Sequence, residues 1–374
     1  MIKQKPPHAD QIELTLFGPG YGECATVHLG GNRWIIADSC MNSATGEPAI
    51  LEYFSNIGVD TQEAVRLITI SHWHDDHIRG LSKVISACPN ATVCCSTALT
   101  TKEFINYTFS FKNILIKSRW TGATEIREIF ETLKTLPQTK RQYAMGNCRV
   151  LTLPAQNGAD SCSVTTLSPS SREYEIFLQG ISLLIPPPNK TKIRARNLTP
   201  NHTAVALWVE IGDIRILLGS DVEEKGDPST GWSAIVQSAN RPQGRASLYK
   251  IPHHGSRTGH HDQVLSDMIA DPAIAVLSPF YSGRTKLPTS KDIARILKAT
   301  PESYITTSDS APKCRTARPA AVERTIRETV KKIRLIQPPM GRVTIRNEGK
   351  TNPNCWNVDL SPSACQLTSL QDQG

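Results

Sequence analysis

Three of the chain's ten histidines fall within six residues, in the run His72-Trp73-His74-Asp75-Asp76-His77. No other segment constrains fold and chemistry so tightly. The run follows Leu67-Ile68-Thr69-Ile70, a short apolar stretch of the kind that forms a strand buried on both faces, so the cluster is expected at the carboxyl end of a central strand. His72 and His74, two residues apart, project to the same side of an extended stretch and can hold one metal ion. Asp76 and His77, on the turn that follows, can hold a second. Neutral imidazole combined with carboxylate suits Zn2+ or Mn2+, so two divalent metal ions are expected. A solvated polar loop is the plain alternative, and it gives no reason for three imidazoles to crowd together.

Residues 11–17 alternate polar and apolar with period two, 24–29 and 33–37 read as further strands, and Gly30-Gly31-Asn32 reads as a hairpin turn. The chain therefore opens as an antiparallel meander. After the histidine run, 78–87 reads as helix, 91–95 as strand and 97–109 as helix, an α/β order, and 111–145 reads as helical and basic. Strands are expected over 148–153, 163–168, 203–210, 214–218, 246–251, 274–278, 304–307 and 342–346, and helices over 290–298 and 320–334. Two of these strands run into polar motifs, Gly219-Ser220-Asp221 and Pro252-His253-His254-Gly255-Ser256. With no internal repeat and no clean linker, we expect a single domain over 1–350, made of two strand-rich halves. It carries a basic helical insert near 100–147 and is followed by a polar, loose tail over 351–374.

Hydrophobic residues make up 39% of the chain and charged residues 20%, which excludes a disordered polyelectrolyte and indicates a folded protein. The ten cysteines are scattered without a CxxC pair, so neither a zinc ribbon nor a thioredoxin-like motif is present, and buried, reduced thiols are expected. The first ten residues are polar and no segment is apolar enough for a membrane span, so a cytoplasmic location without membrane association is expected. The net charge of +8 favours acidic partners such as nucleic acids. It is concentrated in 100–150, with nine Lys/Arg against four acidic residues, and in 311–346, with ten against two. A solvated helix face would leave the same signature.

His72-Trp73-His74-Asp75-Asp76-His77 resembles the HxHxDH signature of the metallo-β-lactamase superfamily, and further motifs similar to that family follow in order. The resemblance implies an α/β fold, the αββα sandwich of two mixed sheets with helices on the outer faces. It also implies roles. Asp38, closing Ile35-Ile36-Ala37-Asp38, resembles the acidic residue that orients ligand histidines from behind. Asp221 resembles the carboxylate that bridges both metals, and His253-His254-Gly255-Ser256 resembles the final ligand motif, with one of its two histidines coordinating and the other facing substrate as a proton donor. His202, before a strand, resembles the third ligand of the first metal. Within the superfamily the chain is most similar to the ComEC-type competence metallo-hydrolase domain. That likeness rests on Gly20-Tyr21-Gly22-Glu23, on 201–207, on Gly219-Ser220-Asp221 and on His253-His254-Gly255-Ser256. It covers roughly residues 11–310. The chain differs from that branch at Glu23, where Asp is usual, and at Leu287 before Pro288, where His is usual.

The resemblance implies a metal-dependent hydrolase. A phosphodiesterase or nuclease is the first expectation, with nucleic acid as partner, DNA more than RNA. The alternatives are hydrolysis of a small ester, amide or lipid headgroup on the same fold, or a metal-bearing module of a multiprotein complex, for instance in phage defence, docking a protein partner through 311–346. In the enzyme reading Asp76 orients the nucleophile. His253 or His254, or Lys190, Lys192, Arg194 and Arg196 on a nearby loop, would neutralise the leaving oxyanion. For those four basic residues ordinary surface charge is the simpler explanation.

Overall fold

The computed structural model describes residues 5–19, 22–101, 104, 122–182, 200–308, 325, 329, 340–350, 352 and 354–373. Gly20, Tyr21, the loop residues Lys190, Lys192, Arg194 and Arg196, most of the helix expected over 320–334 and much of the basic insert lie outside the described residues.

Strands β1 (Glu13–Phe17), β2 (Cys24–His28) and β3 (Trp34–Ala37) form the expected antiparallel meander. The tight turn between β2 and β3 holds Gly30, Gly31 and Asn32 at φ of 81°, 61° and 55°, a succession of left-handed residues open to Gly and Asn and closed to most others. The chain then switches to parallel crossovers. β4 (Val65–Ile70), β5 (Thr92–Ser96) and β6 (Arg141–Ala144) each lie parallel to the strand before, reached through the helices Ala49–Ile57, Leu81–Ala87 and Gly122–Thr135.

The second half repeats this plan. β7 (Cys148–Leu153), β8 (Cys162–Thr166), β9 (Leu207–Ile211) and β10 (Ile214–Leu218) are antiparallel. β11 (Ala246–Lys250), β12 (Ile269–Leu277) and β13 (Ser303–Ile305) continue in parallel. Finally β14 (Arg342–Asn347) pairs with β1, β15 (Trp356–Leu360) with β14, and β16 (Cys365–Gln366) with β13. The result is two mixed eight-stranded sheets, in the orders β15-β14-β1-β2-β3-β4-β5-β6 and β16-β13-β12-β11-β10-β9-β8-β7.

The side-chain alternation of the central strands sorts the core into three layers. Ile35, Leu67, Cys94, Ile216, Leu248 and Val276 meet between the two sheets. Their chain neighbours Ile36, Ile68 and Cys95 face the helices outside the first sheet, together with Phe54, Val84 and Phe130. Leu217, Tyr249 and Ala275 likewise face Trp232, Met268, Ile293 and Ile296 outside the second. Where a strand is buried on both faces it needs apolar residues on both, which is why the carboxyl-terminal parts of β10 and β12, Ile216–Leu218 and Ala273–Leu277, read as continuous apolar runs and β4 is interrupted after Leu67-Ile68 only by the buried Thr69. The layer order is therefore αββα, as expected.

Two expectations are corrected. Within the stretch read as a helical insert, Gly122–Thr135 is helical, but Arg141–Ala144 is the edge strand β6, bonded to β5 with Val93 opposite Arg141. The tail beyond 350 is not loose, and the domain does not end there. Trp356, Val358 and Leu360 alternate along β15 and pack on the inter-sheet core. The 3-10 turn Leu367–Gln373 buries Leu367 in the outer core of the second sheet. An apolar residue every second position outweighs the polar composition around it.

Leu367→Ala discriminates between the two descriptions of the tail. A fully buried leucine costs about 2–5 kcal/mol when truncated, and one in a loose tail costs nothing; the midpoint of denaturant unfolding measures the difference.

Candidate metal centre

Every group of the site is delivered by the carboxyl end of a parallel-paired strand, where open α/β sheets place their ligands. β3 ends at Asp38, β4 runs into 71–74 and the single helical turn Asp75–Ile78, β10 ends at Ser220 and Asp221, and β11 runs into His253 and His254. Four of these residues lie in the left-handed region: Asp38 at φ 62°, Ser220 at 45°, His253 at 46° and His254 at 52°. Each such conformation costs on the order of 1–3 kcal/mol for a non-glycine residue, so the fold sustains strain at the points where it aims these side chains.

The imidazoles are held from behind. Ser71 donates its backbone N–H to Asp38 Oδ1 at 2.8 Å and its hydroxyl to Asp38 Oδ2 at 2.5 Å, which leaves the Ser71 oxygen to accept from His72 Nδ1 at 2.9 Å. His77 Nδ1 donates to Asp38 Oδ2 at 2.8 Å. His254 Nδ1 donates to the Ser278 carbonyl at 3.0 Å. A ring that donates from Nδ1 presents the lone pair of Nε2, so all three rings turn a ligand atom inward.

Those atoms converge on Asp221. Its Oδ2 lies 3.8 Å from His72 Nε2, 3.4 Å from His77 Nε2 and 3.7 Å from His254 Nε2. Asp76 Oδ2 is 3.2 Å from His254 Nε2 and 3.7 Å from His77 Nε2, and His74 Nδ1 is 3.2 Å from His72 Nε2. Among the described residues the donors form two groups that share Asp221: His72, His74 and Asp221, and Asp76, His77, Asp221 and His254. Within each group one donor atom per residue falls inside 4.8 Å. Asp38 forms a further group with His72 and His77, but its oxygens are taken by Ser71 and His77. His77 Nε2 and Asp221 Oδ1 are buried without hydrogen-bond partners, a state that native structures tolerate where an ion completes the set. The donor chemistry and these orphaned atoms fit divalent metal ions.

The site answers what the sequence left open between His253 and His254. His254 is buried in the cluster. His253 stands on the rim, its Nδ1 2.7 Å from Thr258 Oγ1 and 3.4 Å from Glu223 Oε1. The structure places His202 outside the cluster. The 3-10 turn Pro200–Thr203 carries Asn201 inward, with its Nδ2 3.3 Å from His253 Nε2, and leaves His202 Nε2 accepting from the Lys225 ammonium at 3.0 Å. His202 belongs to neither donor group. Cys24 and Cys40 are buried beneath the site, and burial, reinforced by the nearby Glu23 carboxylate, holds both thiols above their ordinary range and protonated. Sequence reasoning missed Ser71, Asn201 and Ser278, single polar residues beside motifs that carry no pattern of their own.

The electrostatics of the metal-free cluster are those of protons standing in for cations. Burial alone would lower His77 and His254, but the carboxylates of Asp221 and Asp76 overcome it and raise both. Burial would raise Asp76 and Asp221, but the imidazoles hold both carboxyls below the usual range, His77 foremost in each case. His72 is pushed down, by burial and then by the neighbouring His77.

No protein-family model matches the chain, and no curated protein matches it. Solved structures similar to it are metallo-β-lactamase fold proteins. The fold protein YhfI from Bacillus subtilis is 14% identical, with 64% of this chain and 70% of that chain covered and a TM-score of 0.32. MEM-A1, a subclass B3 metallo-β-lactamase isolated from a soil metagenome library, is 14% identical over 68% of this chain and 81% of that one, with a TM-score of 0.35. The metallo-β-lactamase SMB-1, in complex with 2-mercaptoethanesulfonate, is 14% identical over 73% and 79%, with a TM-score of 0.33.

Two outcomes are expected. Asp38→Asn removes the acceptor that fixes His77 and the Ser71–His72 relay, and metal affinity measured by chelator competition falls by about 10–100-fold. The carboxylates that raise His77 and His254 let these rings keep protons to higher pH than free imidazole does, and a metal ion must displace them; Zn2+ uptake therefore releases protons and weakens as pH falls, measurable by calorimetry in buffers of different ionisation enthalpy.

Proposed function

We propose that the chain is a metallo-hydrolase of the metallo-β-lactamase superfamily that uses two divalent ions, Zn2+ or Mn2+, to cleave phosphodiester bonds, with nucleic acid, DNA more than RNA, as its substrate. The observation that carries this reading is the pair of donor groups sharing Asp221. His72, His74 and Asp221 would hold one ion, and Asp76, His77, Asp221 and His254 the other. Cations in such a pair lower the pKa of water and neutralise charge that develops on a substrate's oxygens.

The chain's own residues supply the rest. His72, His77, Asp76, Asp221 and His254 are buried, whereas His74 and His253 are partly open, so substrate approaches from the side of those two rings. Asp76, fixed by His254, is placed to orient the attacking water. His253 is the acid–base residue: Glu223 and Thr258 hold its Nδ1, and its Nε2 faces the Asn201 amide at the rim. The described rim is polar and carries Lys225 and Arg257, both exposed, which suits a phosphate-bearing substrate better than an apolar acyl compound. The net charge of +8 supports the same choice.

Protein purified without chelator is expected to contain two equivalents of Zn or Mn by mass spectrometry, and to degrade single- or double-stranded DNA when Mn2+ or Zn2+ is present. Asp221→Ala and His74→Ala are expected to abolish the cleavage. Turnover of chromogenic esters with intact nucleic acid would replace the substrate assignment with the small-ester one, and a metal-free protein would remove the reading altogether.

A further inference from the structure

Lys250 and Glu23 form a buried ion pair directly behind the donor groups. Lys250 is the last residue of β11, in the second sheet, and Glu23 immediately precedes β2, in the first. Their side chains are 2% and 4% exposed, and the ammonium rests on Glu23 Oε1. Taking two ions out of water costs several kcal/mol for each, and a pair of apolar side chains of similar volume is often the more stable alternative. Stability is therefore a poor explanation for this pair, and its remaining contacts offer a better one.

Each end of the pair grips one half of the site. Lys250 Nζ donates to the Ser220 carbonyl at 3.0 Å, and the same carbonyl accepts the His253 backbone N–H at 2.9 Å. One oxygen thus fixes the turn that aims Asp221 and the turn that aims His254. On the other side, the Glu23 backbone N–H donates to the Asp76 carbonyl at 2.8 Å, fixing the helical turn of Asp76 and His77. The Glu23 carboxylate reaches between the two halves, with Oε1 3.8 Å from His77 Nδ1 and Oε2 3.6 Å from His254 Nδ1, and Oε2 has no hydrogen-bond partner. Among the described residues no backbone ladder joins the two sheets. The ion pair links the chain segments that carry Asp76 and His77 to those that carry Asp221 and His254.

We propose that Glu23 and Lys250 are positioning residues that set the span of the Asp76, His77, Asp221 and His254 group across the sandwich, and so determine the affinity and coordination of the ion held there. By engaging Glu23, Lys250 also keeps a third carboxylate out of the donor set. The inference rests on the metal reading above.

The test titrates metal-stripped protein with Co2+ and follows its visible d–d absorption, using His254→Ala and His74→Ala to assign which band belongs to which donor group. Wild type is expected to bind two equivalents. Glu23→Gln and Lys250→Met are each expected to weaken the equivalent that His254→Ala removes, by tenfold or more, and to change its spectrum while leaving the other equivalent in place. The double variant Glu23→Gln/Lys250→Met buries no unpaired charge, so it recovers the unfolding midpoint without recovering the affinity; should either single variant fail to fold, the double variant carries the comparison. Variants that bind both equivalents with wild-type affinity and spectrum, and lose only stability, overturn the inference. A wild type that binds no Co2+ overturns the metal reading itself.

Discussion

The structure is organised around a carboxylate that cannot stand alone. Asp221 is buried at the end of β10 with three imidazole nitrogens within 3.8 Å, and one of its oxygens has no hydrogen-bond partner. Removing such a group from water without compensating positive charge is prohibitively costly, so the pocket must be filled by protons on the rings or by cations between them. The raised pKa values of His77 and His254 are the first solution, and the shared donor groups are suited to the second. Exchange between the two is the physical content of the site.

That arrangement explains why the fold is built as two copies of one plan. Each sheet passes from antiparallel hairpins to parallel crossovers, and the change of direction places several strand ends along one edge. The first sheet contributes Asp38, His72, His74, Asp76 and His77; the second contributes Asp221, His253 and His254. Neither half holds a complete donor set. The apolar layer between the sheets, from Leu14 and Leu67 on one side to Leu248 and Val276 on the other, is what brings the two together.

Much of this was legible because the signals are local. The spacing of His72, His74, Asp76 and His77 needs only an extended stretch followed by a turn, and β4, β10 and β12 announce themselves as apolar runs. What failed did so where one residue of phase decides the outcome. His253 and His254 are adjacent and both left-handed, so only the backbone shows which ring enters the cluster. In the turn Pro200–Thr203, Asn201 points inward where His202 was expected. That Glu23 and Lys250 pair is visible only once β2 and β11 are brought together. The helix Ala49–Ile57, absent from the sequence expectations, is bracketed by Pro48 and a left-handed Gly58, start and stop signals that are local and readable.

The placement of the last strands bears on how the molecule is made. β1, near the amino terminus, acquires its second neighbour only when β14 arrives, and the Ile12 N–H is satisfied by the Asn347 side chain 335 residues further along the chain. A ribosome must therefore release the chain through residue 347 before the first sheet can close. Until then β1 presents an open edge, and long-range pairing of this kind is slow and prone to aggregation. Newly synthesised chains would be expected to depend on chaperones during that interval, and the metal centre, which needs both sheets, is among the last parts of the protein to mature.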